Sequence, residues 1–356
     1  MQKILDVLKQ KGITFYQSDR FNLDSFYFES YQDEGELFEK TVIFEDDNKD
    51  LRKVEARTNT SHFKYFLDGS RKTYRIAEAE FDGKLLPIVA GQIGTCVCQR
   101  NNGKLKLYDK VRRKNVLMLN ERIQDSDYKD IKKNIEKLSD FDIAVEQYVY
   151  DSNQEIPPEN KAIAKIQKIM YSMEIDLLAD MTKANILRPH GMLVIDGSLQ
   201  FSNIGEREEK YFYNVIGISK SFNPNLKIKN KSIGTILPKL EFGVRTPVFK
   251  YNQTGERQRV KQIIGAWYLR IRPTTEMRNP LDGIVKIEKI AVEDDVKENG
   301  FPSGEIDNIS ASILLERNVT CYGSDSRWAG HIYPIYLTET VLKSSFMSDM
   351  YFLNIF

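Results

Sequence analysis

Residues 192–199 read MLVIDGSL, and residues 66–71 read FLDGSR. Each is a short apolar run that stops at Asp-Gly-Ser. Asp-Gly also occurs at Asp82 and Asp282, where a tight turn explains it. Asp82 stands between two alternating stretches, and Asp282 comes just after Pro280. Asp68 and Asp196 differ, because neither is followed at once by a partner strand of matching pattern. A carboxylate that ends a central strand points out of the sheet, where sites form in α/β proteins. The repeated strand-DGS pair therefore predicts an α/β fold with Asp68 and Asp196 on neighbouring strands.

Outward from these two points, residues 63–119 alternate apolar and polar, with Asp82-Gly83 and Asn102-Gly103 between the runs. That pattern predicts an antiparallel meander. Residues 126–150 carry mixed charge at helical spacing, and Pro157-Pro158 precedes a second helix over 159–183. In it Ile163, Ile166, Met170, Leu177 and Met181 form an apolar stripe. GMLVIDGSLQF and NVIGISKSF, at 191–201 and 214–222, read as buried central strands. QIIGAWYLRIRP, DGIVKIEKIAV and ISASILLE read as further strands, and the last 24 residues, from Tyr333, as helical in part. With no repeat and no long linker, the expected organisation is one domain over 61–356, carrying a helical insertion at about 120–183. A helix-rich, acidic N-terminal extension over 1–60 precedes it.

The chain has 356 residues, 41% hydrophobic and 29% charged, which excludes a disordered, collagen-like or coiled-coil protein. Lys plus Arg (52) nearly cancels Asp plus Glu (51). No global field drives the protein onto a polyanion, so any DNA contact must come from local clusters. Between Arg100 and Lys114 lie seven basic residues against Asp109 alone. Lys110, Arg112 and Arg113 belong to that cluster, while Arg257 and Arg259 belong to a second one over 245–261, and Arg71 adjoins the first DGS. These are the expected phosphate contacts, with Tyr108, Phe249 and Tyr251 placed to stack on unpaired bases. Cys96, Cys98 and Cys321 are too few and wrongly spaced for a disulfide scaffold or a zinc site. The most apolar stretch, PIVAGQIGTCVC, is 12 residues, short of the roughly 20 a bilayer needs. The opening MQKILDVLKQKGI lacks a signal-peptide core. The expectation is a cytoplasmic protein with no membrane association.

Two carboxylates side by side are tolerated if a divalent cation lies between them, and Mg²⁺ and Mn²⁺ prefer oxygen ligands. Pairs of such ions suit in-line attack on phosphodiesters. A third acid is expected from the helix that runs into the second DGS strand. Glu174 lies beside Met170, Met173 and Leu177 on the apolar stripe, whereas Asp176 and Asp180 read as solvent-facing.

The order of strand Asp, hairpins, helix Glu, strand Asp and a further strand is that of a ribonuclease H-like nuclease core. FLDGSR, MLVIDGSL, VIGISKS at 215–221, WYLRI at 267–271 with VKIEK at 285–289, and YPIYL at 333–337 together resemble the NurA nucleases. These are partners of HerA-type hexameric ATPases in processing DNA ends. The resemblance implies a ribonuclease H-like mixed sheet flanked by helices. It makes Asp68, Glu174 and Asp196 ligands of catalytic Mn²⁺ or Mg²⁺ and puts Lys220 at a phosphate. It further implies 5′ to 3′ cleavage of DNA, a homodimer and a HerA-type ring as partner, in DNA repair or anti-phage defence. The family usually carries a metal-site His after the Tyr-Pro-x-x-Leu stretch, and here LTETVLKS has none. The last ligand is left to His331, Glu339 or neither. Of a different class is an inactive ribonuclease H-like module that docks on an ATPase ring or nucleic acid. Arg270 and Glu288 are expected to form an ion pair between strands.

Overall fold

The structure is a computed structural model that describes residues 4–16, 21–23, 42–46, 51–54, 60–81, 83–138, 142–150, 156–188, 191–199, 206–223, 227–228, 231–253, 262–316, 318–320 and 326–356. Strands β1 (Phe63–Phe81) and β2 (Lys84–Asn101) pair antiparallel over nearly their full lengths. Asn102 and Gly103, at φ 49° and 74°, turn the chain into β3 (Lys104–Leu107). Two successive positive φ values are what an Asn-Gly hairpin turn supplies. β4 (Arg112–Asn120) then pairs with β2, completing the expected meander.

On the other side of β1 lies β6 (Met192–Asp196), parallel to it, with Val194 opposite Phe66 and Ile195 opposite Leu67. β7 (Val215–Ser219) is parallel to β6. Beyond it run β10 (Ile284–Ile290), β9 (Gln262–Arg270) and β8 (Phe249–Gln253), all antiparallel to their neighbours. With β5 (Ile143–Tyr148) parallel to β4 at the far edge, the order is β8-β9-β10-β7-β6-β1-β2-β4-β5.

Helices cover both faces of this mixed sheet, so the fold is α/β. Helix α1 (Ile4–Gln10) buries four apolar side chains, and α2 (Asp125–Glu136) presents Ile131 and Ile135 to the same cluster as Val145 of β5. Helix α3 (Pro158–Lys183) packs Leu177, Leu178 and Met181 on Leu67, Leu193 and Ile195. The opposite face carries α4 (Ser303–Leu315), whose Ile306, Ile309 and Ile313 meet Phe66, Val194 and Ile287. Ile335 of α5 (Tyr333–Ser344) joins that cluster, and the short α6 (Asp349–Leu353) follows. Alternate residues of β1 and β6 thus feed two cores, which is the period-two signature of a strand buried on both faces. Among the described residues, no helix is long and apolar enough to cross a membrane.

Four expectations differ from the structure. Residues 143–148 form a strand; IAVEQY buries Ile143 and Val145 alternately, and the charges around it imitated helical spacing. ISASILLE at 309–316 lies mainly in α4, because a short apolar run does not by itself separate strand from buried helix. Asp68 does not end its strand: β1 continues against β2 for 13 more residues, while its parallel neighbour stops at Asp196. The described parts of 1–60 are not a helix-rich extension. Besides α1 they are two-residue strands, of which Phe15–Tyr16 and Phe21–Asn22 pair with β1 and Val42–Ile43 pairs with β8.

Candidate active site

The chain after β6 has to turn sharply, and Gly197 at φ 128° allows it. Gly197 N donates to Ile218 O at 2.9 Å. A Cβ on Gly217 of the next strand would stand 2.6 Å from Gly197 O, so glycine there lets the loop cross β7 closely. Glu288, fully buried on β10, clamps the loop: its Oε2 accepts from Ser198 Oγ and from Leu199 N, each at 2.7 Å. Its Oε1 pairs with Lys286 Nζ at 2.9 Å. The expected Arg270–Glu288 pair is not formed. Arg270 lies opposite Ile284 and donates instead to the carbonyls of Leu240, Asp282 and Pro280.

Asp68 follows Leu67 as Asp196 follows its partner Ile195, so the two carboxylates stand on adjacent parallel strands. Asp68 is only 4% exposed, and its Oδ2 has no hydrogen-bond partner among the described residues. Glu174, 3% exposed, reaches in from α3 above Gly69. A Cβ on Gly69 would collide with Glu174 Oε1, so the glycine of the first DGS makes room for the helix acid. From the other face, α5 brings Glu339. Lys220, just past β7, donates from Nζ to Asp196 Oδ2 at 2.6 Å. A Cβ on Gly330 would lie 3.2 Å from Lys220 Cβ and Cγ, so the lysine stem packs directly on that backbone. His331, buried, follows it.

Burial, then the charges of Asp196 and Glu339, hold the Asp68 carboxyl well above the usual range, against the pull of Lys220. Burial, then Asp196, pushes Glu174 up to about 8. Burial disfavours the Lys220 ammonium, but Asp196, Glu339 and Asp68 outweigh it and raise its pKa. Burial works against the Glu339 carboxylate too, yet Lys220, Lys343 and His331 hold its pKa below the ordinary value. Asp68, Asp196 and Glu339 thus share one buried ammonium, with Glu174 beside Asp196; the four acids are a surplus of hard oxygen donors that fits Mg²⁺ or Mn²⁺ in kind and charge. As the side chains lie, no three His, Cys, Asp or Glu groups among the described residues stand close enough to hold an ion. Two cations touch the cluster among the described residues: buried Lys220 at Asp196, and the more exposed Lys343, whose Nζ donates to Glu339 Oε1 at 2.6 Å.

The structure therefore brings Asp68, Glu174, Asp196 and Lys220 together, and buried His331 adds to the charges that favour the Glu339 carboxylate. Asp176 and Asp180 are exposed, as read from the sequence, and Asp180 pairs with Arg112 at 2.8 Å. The hold of Glu288 on the loop after Asp196 and the close approaches at glycines 69, 217 and 330 escaped sequence reasoning, which paired Glu288 with Arg270. Only the Gly in DGS gave a local signal.

Lys110, Arg112 and Arg113 line a cavity of about 580 Å³ between the start of β4 and the segment 345–347. Gly69, Thr95 and Arg112 lie in one cross-strand row, which places this basic edge about 10 Å, two strand spacings, from β1. Arg113 donates to Ser345 O at 2.7 Å, and Arg71 to Thr73 Oγ1 at 3.4 Å. Other members of the basic clusters serve the fold. Arg100 pairs with Glu316, and fully buried Arg245 lies between Glu45 and Asp307. Phe249 is buried rather than free to stack. Arg257 and Arg259 lie outside the described residues, as does Cys321; Cys96 and Cys98 are buried free thiols.

Comparison with known proteins adds no relative: no protein-family model matches the chain, and no curated protein matches it.

Proposed function

We propose that this chain is a metal-dependent DNA nuclease with a ribonuclease H-like core. The observation that carries the reading is the convergence of Asp68, Glu174, Asp196 and Glu339 where β6 ends beside β1. The sheet supports it: β4-β2-β1-β6-β7 is an antiparallel three-strand meander whose first strand continues into two parallel ones. Asp68, Glu174 and Asp196 are the residues to hold Mn²⁺ or Mg²⁺, with Glu339 the nearest further acid. A divalent ion bound there supplies Lewis acidity at the scissile phosphate. The protein's own groups do the rest. Glu288 fixes the Asp196 loop, and Glu174, whose pKa burial and Asp196 push up to about 8 in the metal-free protein, would give up its proton to serve as a ligand. The ammonium of Lys220 offers a charge to a non-bridging phosphate oxygen. The basic edge at Lys110, Arg112 and Arg113 lies along the sheet where a DNA strand leaving the site meets phosphate contacts.

By the resemblance of its motifs to the NurA nucleases, the protein works 5′ to 3′ as a homodimer fed by a HerA-type hexameric ATPase. The test is cleavage by purified Asp68→Asn and Asp196→Asn proteins: both lose it and keep the fold by circular dichroism. Full activity in either variant refutes the assignment.

One observation favours the second reading, an inactive binding module. The Lys220–Asp196 pair leaves no assembled set of donors among the described residues. Calorimetric titration with Mn²⁺ separates the two, since the module binds no metal.

A further inference from the structure

We propose that Lys220 is the occupant of the cation site in the DNA-free protein, so that its ammonium and a divalent metal ion compete for Asp196. This rests on the metal-site reading above. Nζ lies 2.6 Å from Asp196 Oδ2, and the two side chains are only 15% and 10% exposed. The ammonium also interacts with Asp68 and Glu339, so it counters the charge of three of the four acids. Its stem rests on Gly330, where a Cβ would stand only 3.2 Å from the lysine Cβ and Cγ. A protonated amine cannot ligate a metal, and at hydrogen-bond distance it covers the oxygen that the metal needs. This accounts for why the carboxylates converge without forming a ligand set.

Two consequences follow from mass action. A site that is open in only a fraction of molecules binds with its affinity cut by that fraction; closure in nine of ten molecules costs about tenfold. A DNA phosphate offers the ammonium an alternative anion, and the four-carbon lysine stem lets it swing away from Asp196. DNA binding therefore opens the metal position, and metal binding favours DNA in return.

The experiment is calorimetric titration of Mn²⁺ alone into the full-length, DNA-free chain as wild type, Lys220→Met and Lys220→Arg. Lys220→Met binds Mn²⁺ at least about tenfold more tightly than wild type, and Lys220→Arg, which keeps the charge, does not. Equal or weaker binding by a folded Lys220→Met protein overturns the competition while leaving the metal site standing. If neither wild type nor Lys220→Met binds Mn²⁺, the metal-site reading falls and takes this one with it. Should Lys220→Met fail to fold, the wild type alone decides. Reductive methylation of Lys220, followed by mass spectrometry, rises when Mn²⁺ displaces the amine; unchanged labelling with Mn²⁺ bound overturns the proposal.

Discussion

Replacing Glu174 by Gln removes a buried ionisable group while keeping the shape that fits above Gly69. The folded chain holds a proton on Glu174 until about pH 8, whereas the unfolded chain releases it near the ordinary 4.5. This group's contribution to stability is therefore fully present below 4.5 and is lost as pH rises through about 8. Between pH 6 and 8 the slope is about 1.4 kcal/mol per pH unit, and above 8 it flattens. Relative to wild type, Glu174→Gln should thus gain about 2–3 kcal/mol of unfolding free energy between pH 6 and pH 9. Urea denaturation in EDTA at the two pH values measures it, with equal slopes confirming that the denatured states match. Asp68 is raised as well, chiefly by burial and the charges of Asp196 and Glu339, which both proteins keep; of the groups that shift it, Glu174 contributes least. Parallel stability curves for the two proteins would refute the claim that Glu174 is buried beside Asp196.

Gly69→Ala puts a methyl group where Glu174 Oε1 lies; it should cost about 1–3 kcal/mol of stability, while Mn²⁺ affinity by calorimetry falls about 10–100-fold. Unchanged metal binding would show that the Glu174 position is immaterial. Glu288→Ala leaves Lys286 buried without its carboxylate and should cost about 3–5 kcal/mol in urea denaturation. A loss below about 1 kcal/mol would mean that the pair does not hold the loop after Asp196.

The legible parts of the fold were those governed by local chemistry. Asn102-Gly103 demanded two positive φ values, and the meander followed. The three residues before Asp68 and the four before Asp196 are apolar at every position, as strand segments covered on both faces must be. Residues 143–148 were missed because their alternation is only six residues long and charged neighbours supplied a competing period. The site was half legible. Asp68, Asp196 and Glu174 announced themselves by motif and by place on a helix stripe, and Lys220 by its position after a strand. What holds them did not, because it is tertiary: Glu288 bonds Leu199 from 89 residues away. Gly330 meets Lys220 only through the fold. Arg245 and Arg100 read as free charge in sequence, and only three-dimensional pairing with Glu45, Asp307 and Glu316 shows otherwise.

The central claim, that the carboxylates at Asp68, Glu174 and Asp196 cut DNA with a divalent metal, is tested most directly by incubating wild-type protein with 5′- and 3′-labelled single- and double-stranded DNA in Mn²⁺, Mg²⁺ or EDTA. The account predicts cleavage with either metal and none in EDTA, with the product ladder running from the 5′ end. Intact DNA in every mixture, with a HerA-type ATPase added as well, would contradict it.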